Sequence, residues 1–346
     1  MSSVSHERCD GAVHTATVSV ECGDRARPGV PSAGMTALPD TMRAVLFEEW
    51  GDRSVLHVAE VPVPEVEPGR VLVKVRAAGI NPGESAIRQG LFDGQDPEKL
   101  PSGQGTDLAG TVAAIGLDVD GFEEGEEVLG WSWERSSHAE YVSVPAGQLV
   151  PKPRLMSWEA AGGFDVVATT AAAAVRAVDP RAGETVVVSG AAGGVGGLVT
   201  QLLTNEGVDV IAIASEGNHE WLASKGARPV AYGDGLEARI RELATNGIDA
   251  LIDTFGPEYV HLGITLGVPT DRIETVIAFE AAAEVGAKAS GSADTADPEI
   301  LSALANMVAD GSIELPIAAT YPLEQVQDAY AELEQHHTRG KIVLVP

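Results

Sequence analysis

One stretch constrains this chain more than any other. Residues 185–189 (TVVVS) form a β-branched run, SGAAGGVGG occupies 189–197, and an apolar stripe follows at Val195, Leu198, Val199, Leu202 and Leu203. That stripe recurs at i, i+3, i+4, i+7 and i+8, the buried face of an α-helix. A strand that turns through glycines into a helix aims the first helical amides, and the positive end of the helix dipole, into the turn. Gly193 permits close backbone approach, and Gly196 lets the helix pack against the strand. The arrangement suits a diphosphate, held by backbone at Ala191, Ala192, Gly193, Gly194, Val195 and Gly196.

The residues around the loop read the same way. Strands are expected over 209–215, 229–232, 248–254 and 272–278, and helices over 194–206, 219–225 and 236–245. Continuous β-branched runs between helices are what a parallel sheet covered on both faces requires, so the fold class is α/β with a doubly wound sheet. The second strand ends at Ser215, where a carboxylate would bind a ribose 2′-OH. A hydroxyl leaves room for a 2′-phosphate and donates to it, and Asn218 adds a second donor. The expected cofactor is NADP(H), although Glu216 is adjacent and no Arg or Lys follows until Lys225.

Ahead of this lies a different pattern. Short strands over 42–50, 55–61, 70–77, 110–115, 127–131 and 138–144, separated by turn residues, point to an antiparallel barrel or sandwich. An Ala-rich helical stretch over 157–178 is broken around Gly162 and Gly163. Ile300, Leu304, Met307 and Val308, and then Val326, Ala329, Tyr330 and Leu333, read as core stripes of two later helices, and 341–345 as a closing strand. Residues 1–41 have no hydrophobic period and no basic segment ahead of an apolar one. They read as a disordered leader, or as a start placed too early, with Met35 or Met42 serving instead.

Composition excludes several functions. With 51 acidic and 23 basic residues the formal charge is −28, so the chain offers no basic face to nucleic acid or to an anionic membrane. The two cysteines, Cys9 and Cys22, both precede the expected fold, which leaves no disulfide scaffold and no cysteine-ligated zinc in the body. The eight histidines show no metal-ligand spacing; the neighbours His336 and His337 read as a solvated helix end. No apolar run reaches the ~18 residues of a membrane span, and a cytoplasmic protein is expected.

Four segments carry a family resemblance: AAGINPGESAIRQG (77–90), GQGTDLAGTVAAIG (103–116), the glycine loop, and RGKIVLVP (339–346). With them, residues 42–346 resemble the medium-chain dehydrogenase/reductase superfamily, and within it the zinc-free NADPH:quinone oxidoreductase branch. The resemblance implies a GroES-like antiparallel β-barrel catalytic domain over 42–155 and a Rossmann NADP-binding domain over 156–311. Residues 312–346 would return to the catalytic domain, with the active site between the two. It also implies a homodimer formed through edge strands, here near 285–290. The zinc-dependent members carry Cys near Asn81 and Gly-His-Glu near 105–107, where this chain has Asn and Gly-Thr-Asp. No metal site is therefore expected.

The activity implied is hydride transfer from NADPH to a quinone or an α,β-unsaturated carbonyl. Such acceptors are already electron-poor and need positioning and hydrogen bonds more than a Lewis acid. By resemblance, Asn81 would hydrogen-bond near the nicotinamide or the acceptor oxygen, and Thr170 would pack on the nicotinamide. Tyr232 would lie near the 2′-phosphate, and backbone at Ile277 to Phe279 would hold the carboxamide. Phe255 and Lys341 complete the cofactor contacts. Some quinone reductases place a tyrosine shortly after the Asn81 position, where this chain has Ala86, so no proton donor is named. The alternatives are an enoyl-thioester or other alkene reductase, with Arg43 and Arg88 as its only nearby cations, a zinc alcohol dehydrogenase, and a non-catalytic NADPH-binding protein.

Overall fold

The computed structural model describes residues 38–91 and 100–346. The cysteines, Met35 and most of the expected leader lie outside them. Three sheets organise the chain. β1 (Thr41–Phe47) lies between β2 (His57–Pro62) and β4 (Ser102–Gly103); β3 (Arg70–Gly79) and α1 (Pro82–Arg88) come between them in sequence. β3 pairs antiparallel with both β5 (Asp107–Ile115) and β7 (Tyr141–Pro145). β6 (Glu127–Trp131) joins β5 to β8 (Leu149–Pro151). Val71, Val73, Val75, Leu108, Val112, Val128, Val142 and Val144 fill the space these strands enclose, as the alternation in RVLVKVRA anticipates.

Ser157 caps α2 (Trp158–Gly162) through the Ala160 N–H at 3.1 Å, and α3 (Asp165–Val178) follows the expected break. Then come β9 (Thr185–Val188), α4 (Gly194–Asn205), β10 (Asp209–Ala214), α5 (His219–Ser224) and β11 (Arg228–Ala231). α6 (Leu236–Leu243), β12 (Ala250–Asp253), α7 (Pro257–Leu266), β13 (Ile273–Thr275), α8 (Phe279–Val285) and β14 (Lys288–Ala289) complete the unit. Every strand pair is parallel, in the order β11-β10-β9-β12-β13-β14. That is the doubly wound order, with its switch point between β9 and β12. The stripe of α4 lies in the main core with Val186, Val188, Val210 and Ile252.

The structure differs from the sequence reading in several stretches, α1, α8 and β8 among them, which that reading does not contain. The strand expected over 272–278 stops at Thr275. From there the Val276 N–H goes to the Asp253 carbonyl, and the Ile277 and Ala278 N–H groups go to Thr275 Oγ1, which turns the chain away from the sheet. α7 was not anticipated; Pro257 opens it and Gly267, at φ +86°, closes it.

After α9 (Pro298–Ala309), the chain leaves the parallel sheet. β15 (Ile317–Pro322), α10 (Val326–Leu333) and β16 (Lys341–Val345) follow. β16 pairs parallel with β15 and antiparallel with β3, so the last strand belongs to the first half of the molecule. Just before it, the Gly340 N–H bonds to the Ala192 carbonyl at 3.0 Å, and Gly340 bridges Gly193. The end of the chain thereby touches the glycine loop and the β3 sheet within two residues.

Candidate active site

On the β3 side, three elements converge. Asn81 caps the start of α1 directly after β3, Asp107 opens β5, and Lys341 opens β16. All three side chains are buried. The Lys341 ammonium donates to Asn81 Oδ1 at 2.6 Å, to the Ile80 carbonyl at 2.9 Å and to Asp107 Oδ2 at 3.0 Å. The Asn81 amide in turn donates to Asp107 Oδ2 at 3.1 Å and to Glu84 Oε1 at 3.2 Å. Asp107 Oδ1 accepts the Val166 N–H at 2.7 Å, which pins the first turn of α3 to the cluster.

Glu84 sits one helical turn from Asn81 and accepts the N–H groups of Asn81 and Thr106 and the Tyr330 hydroxyl, the last at 2.6 Å. Burial, with the Glu84 charge adding, pushes the Tyr330 phenol well above its ordinary range, so it stays a donor. Asn81 therefore has both amide protons engaged within the protein, and only its oxygen has spare capacity. Lys341 spans the junction. Its stem passes beside Gly163 and Gly194, next to the glycine loop, but its three protons all go to the β3 side.

Thr170 lies on α3, 6% exposed, and its hydroxyl makes no hydrogen bond among the described residues. Asp165, which sequence reasoning missed, opens the same helix. Its carboxyl is buried without a hydrogen-bond partner, and burial, reinforced by the Asp107 charge and opposed by Lys341, pushes it well above the usual carboxylate range. Burial and the Asp107 charge both favour the protonated form of this acid.

The glycine loop fits a dinucleotide. A Cβ at Gly196 would drive into the Gly190 carbonyl oxygen, so no larger residue allows the loop to close on the helix. Across the switch point, Asp253 holds the facing turns together. It accepts from Ser189 Oγ at 2.6 Å, Thr275 Oγ1 at 2.7 Å and the N–H groups of Phe255 and Gly256. This residue was also missed, although a lone carboxylate ending the apolar run ALID was a signal for it. Phe255, Ile277 and Phe279 each expose nearly half their surface at this end of the sheet, as apolar contacts for a cofactor must. Ser215 follows β10, its Oγ accepting the Asn218 amide at 3.0 Å, so its own proton is free to be donated. Tyr232 follows Ala231, the β11 residue in register with Ala214.

Among the described residues no cluster of three or more His, Cys, Asp and Glu side chains is arranged to hold a metal ion. An ammonium already sits between the Asn81 oxygen and the Asp107 carboxylate, a donor set that does not suit zinc. Neither arginine considered for a carrier phosphate is free. Arg88 is fully buried against the Tyr330 ring, and Arg43 pairs with Glu140 and Glu324. No helix among the described residues is long and apolar enough to cross a membrane.

Residues 67–154 match the family model for the alcohol dehydrogenase GroES-like domain, and residues 225–344 the model described as zinc-binding dehydrogenase. The NADPH-dependent alkenal/one oxidoreductase of Arabidopsis thaliana chloroplasts is 29% identical over 90% of this chain and 81% of its own length. The structure of the quinone oxidoreductase from Coxiella burnetii superposes with a TM-score of 0.78 at 28% identity, covering 88% of this chain and 99% of that one. A mycobacterial protein solved in complex with NADPH gives 0.77 at 25% identity, over 88% and 100%. The chain belongs to the medium-chain dehydrogenase/reductase superfamily.

Proposed function

We propose that this protein is a zinc-independent, NADPH-dependent oxidoreductase that reduces quinones or α,β-unsaturated carbonyls. The observation that carries the reading is the contact between Gly340 and Ala192. It sets the buried Asn81–Asp107–Lys341 cluster beside a loop built for a dinucleotide. The named activities of the relatives agree with it.

Bound at the glycine loop, NADPH supplies a hydride. The 191–196 backbone would hold its diphosphate, Ser215, Asn218 and Tyr232 its 2′-phosphate, and Phe255, Ile277 and Phe279 its apolar surroundings. Lys341 and Asp107 fix the Asn81 amide in one orientation, and Asp107 fixes the first turn of α3. The uncommitted Thr170 hydroxyl is the group on that helix that donates to an acceptor oxygen. We read the functional division as 42–155 for the acceptor side and 156–311 for the nucleotide, with 312–346 joining them. A cytoplasmic homodimer paired along the exposed edge strand β14 completes the proposal.

The test is NADPH oxidation at 340 nm against a panel of quinones and enones, with NADH in parallel. Turnover of at least one acceptor class, with NADPH preferred, is expected. Cofactor binding without turnover of any acceptor would overturn the enzymatic reading in favour of a non-catalytic NADPH-binding protein.

A further inference from the structure

The chain carries no Arg or Lys directly after Ser215, yet a 2′-phosphate is a dianion that is usually met by a cation. Most of the cations that follow β10 are committed to carboxylates. Lys225 pairs with Glu314, Arg228 with Asp209 and Arg241 with Glu237. Arg239 is different. From α6 its guanidinium reaches back to the turn after β11 and donates to four backbone carbonyls: Asp234 at 2.6 Å, Ala231 at 2.8 Å, Gly233 at 3.3 Å and Tyr232 at 3.5 Å. It pairs with no carboxylate among the described residues, and its Nε is buried without a partner.

That turn is the one that presents Tyr232. β10 and β11 run parallel with Ala214 opposite Ala231, and Ser215 and Tyr232 are the residues that follow this last pair at the carboxyl end of the sheet. Ligands of doubly wound sheets bind at that end, and the end of the second strand meets the adenosine ribose. Tyr232 is half exposed there, and Glu216 and Asp234 bring negative charge to the same place. Beyond the neutral donors Ser215, Asn218 and Tyr232, the charge nearest in sequence to that place is therefore acidic.

We propose that Arg239 sets the preference for the 2′-phosphorylated cofactor, as a positioning residue that clamps the 231–234 turn and as a cation, paired with no carboxylate among the described residues, at the turn that follows β11. The inference rests on the NADPH reading above, but not on any acceptor. It also explains why the preference is hard to read from sequence: the cation enters from α6, three elements after the strand end it serves.

The experiment measures binding rather than turnover. Titrate the full chain with NADPH, NADH, adenosine 2′,5′-bisphosphate and 5′-AMP, following tryptophan fluorescence or heat, for the native protein, Arg239→Gln and Arg239→Lys. Arg239→Gln should raise Kd for NADPH and the bisphosphate about 10-fold or more while NADH and 5′-AMP stay within about 2-fold. Arg239→Lys, which keeps charge but loses the planar fork, should fall between. Parallel weakening of all four ligands, or no change in any, would overturn the proposal. If Arg239→Gln does not fold, the native protein still decides: the NADPH-to-NADH Kd ratio must rise with KCl, and a salt-independent ratio overturns the role of the charge. A native protein with no preference for NADPH refutes the cofactor reading itself. A native preference that survives Arg239→Gln refutes only the role of Arg239.

Discussion

Lys341 and Asp107 form an ion pair 3.0 Å long whose side chains are 4% and 0% exposed, and both also hold Asn81. A buried pair stabilises little relative to an apolar replacement of both partners, but removing one partner strands the other charge in a dry interior. Lys341→Met should therefore destabilise the fold by about 3–5 kcal/mol. The double variant Lys341→Met with Asp107→Asn should recover part of that loss. Denaturant melts of the single and double variants check it, and additive losses would show that the pair is not coupled.

Asn81 is held by Lys341, Asp107 and Glu84 together, so its replacement acts on geometry at the acceptor side. Asn81→Ala should lower kcat/KM for an enone or quinone by roughly 10-fold or more, with the Kd for NADPH little changed. Asn81→Asp should be worse, since it adds a carboxylate next to Asp107 and Glu84. Steady-state kinetics set beside cofactor titration separate the two effects, and an unchanged kcat/KM for Asn81→Ala removes the residue from the reaction.

At the glycine loop the constraint is steric. Gly196→Ala forces a methyl against the Gly190 carbonyl, so the loop must open. NADPH and NADH should both bind at least ~10-fold more weakly, in contrast to the selective loss expected at Arg239. A calorimetric titration with each nucleotide distinguishes uniform from selective loss.

Asp165 gives a pH-dependent prediction. In the unfolded chain it ionises near pH ~3.9. In the fold it keeps its proton far above that, because burial and the Asp107 charge oppose ionisation. Between those limits folding must take up a proton, at a cost that grows as pH rises. Asp165→Asn removes the cost. Its melting temperature should exceed that of the native chain by a few degrees near neutral pH, and the gap should close as pH falls towards 4. A variant less stable than the native chain at neutral pH would show that the carboxyl is needed in place.

The contrast between what sequence reading found and missed follows the range of the interactions. The strand, loop and stripe over 185–203 are local, and periodicity reads local structure directly. So does the break between α2 and α3, where two glycines interrupt an Ala-rich run. Asp253 and Arg239 were not legible in that way. Asp253 acts on Ser189, 64 positions away, and Arg239 acts on carbonyl groups that have no sequence signature. The placement of Lys341 depends on Asn81, 260 residues earlier, and only the return of β16 to β3 brings the two together. Resemblance pointed to Asn81 and Lys341 as residues of the site; that they satisfy one another had to come from the fold.

The Gly340–Ala192 contact has a mechanical consequence. Motion that parts the seven-stranded sheet from the six-stranded one is opposed here, because the backbone is bonded to the nucleotide loop while the adjacent side chain is anchored on Ile80, Asn81 and Asp107. A single peptide link thus sets the spacing between the loop and the ammonium.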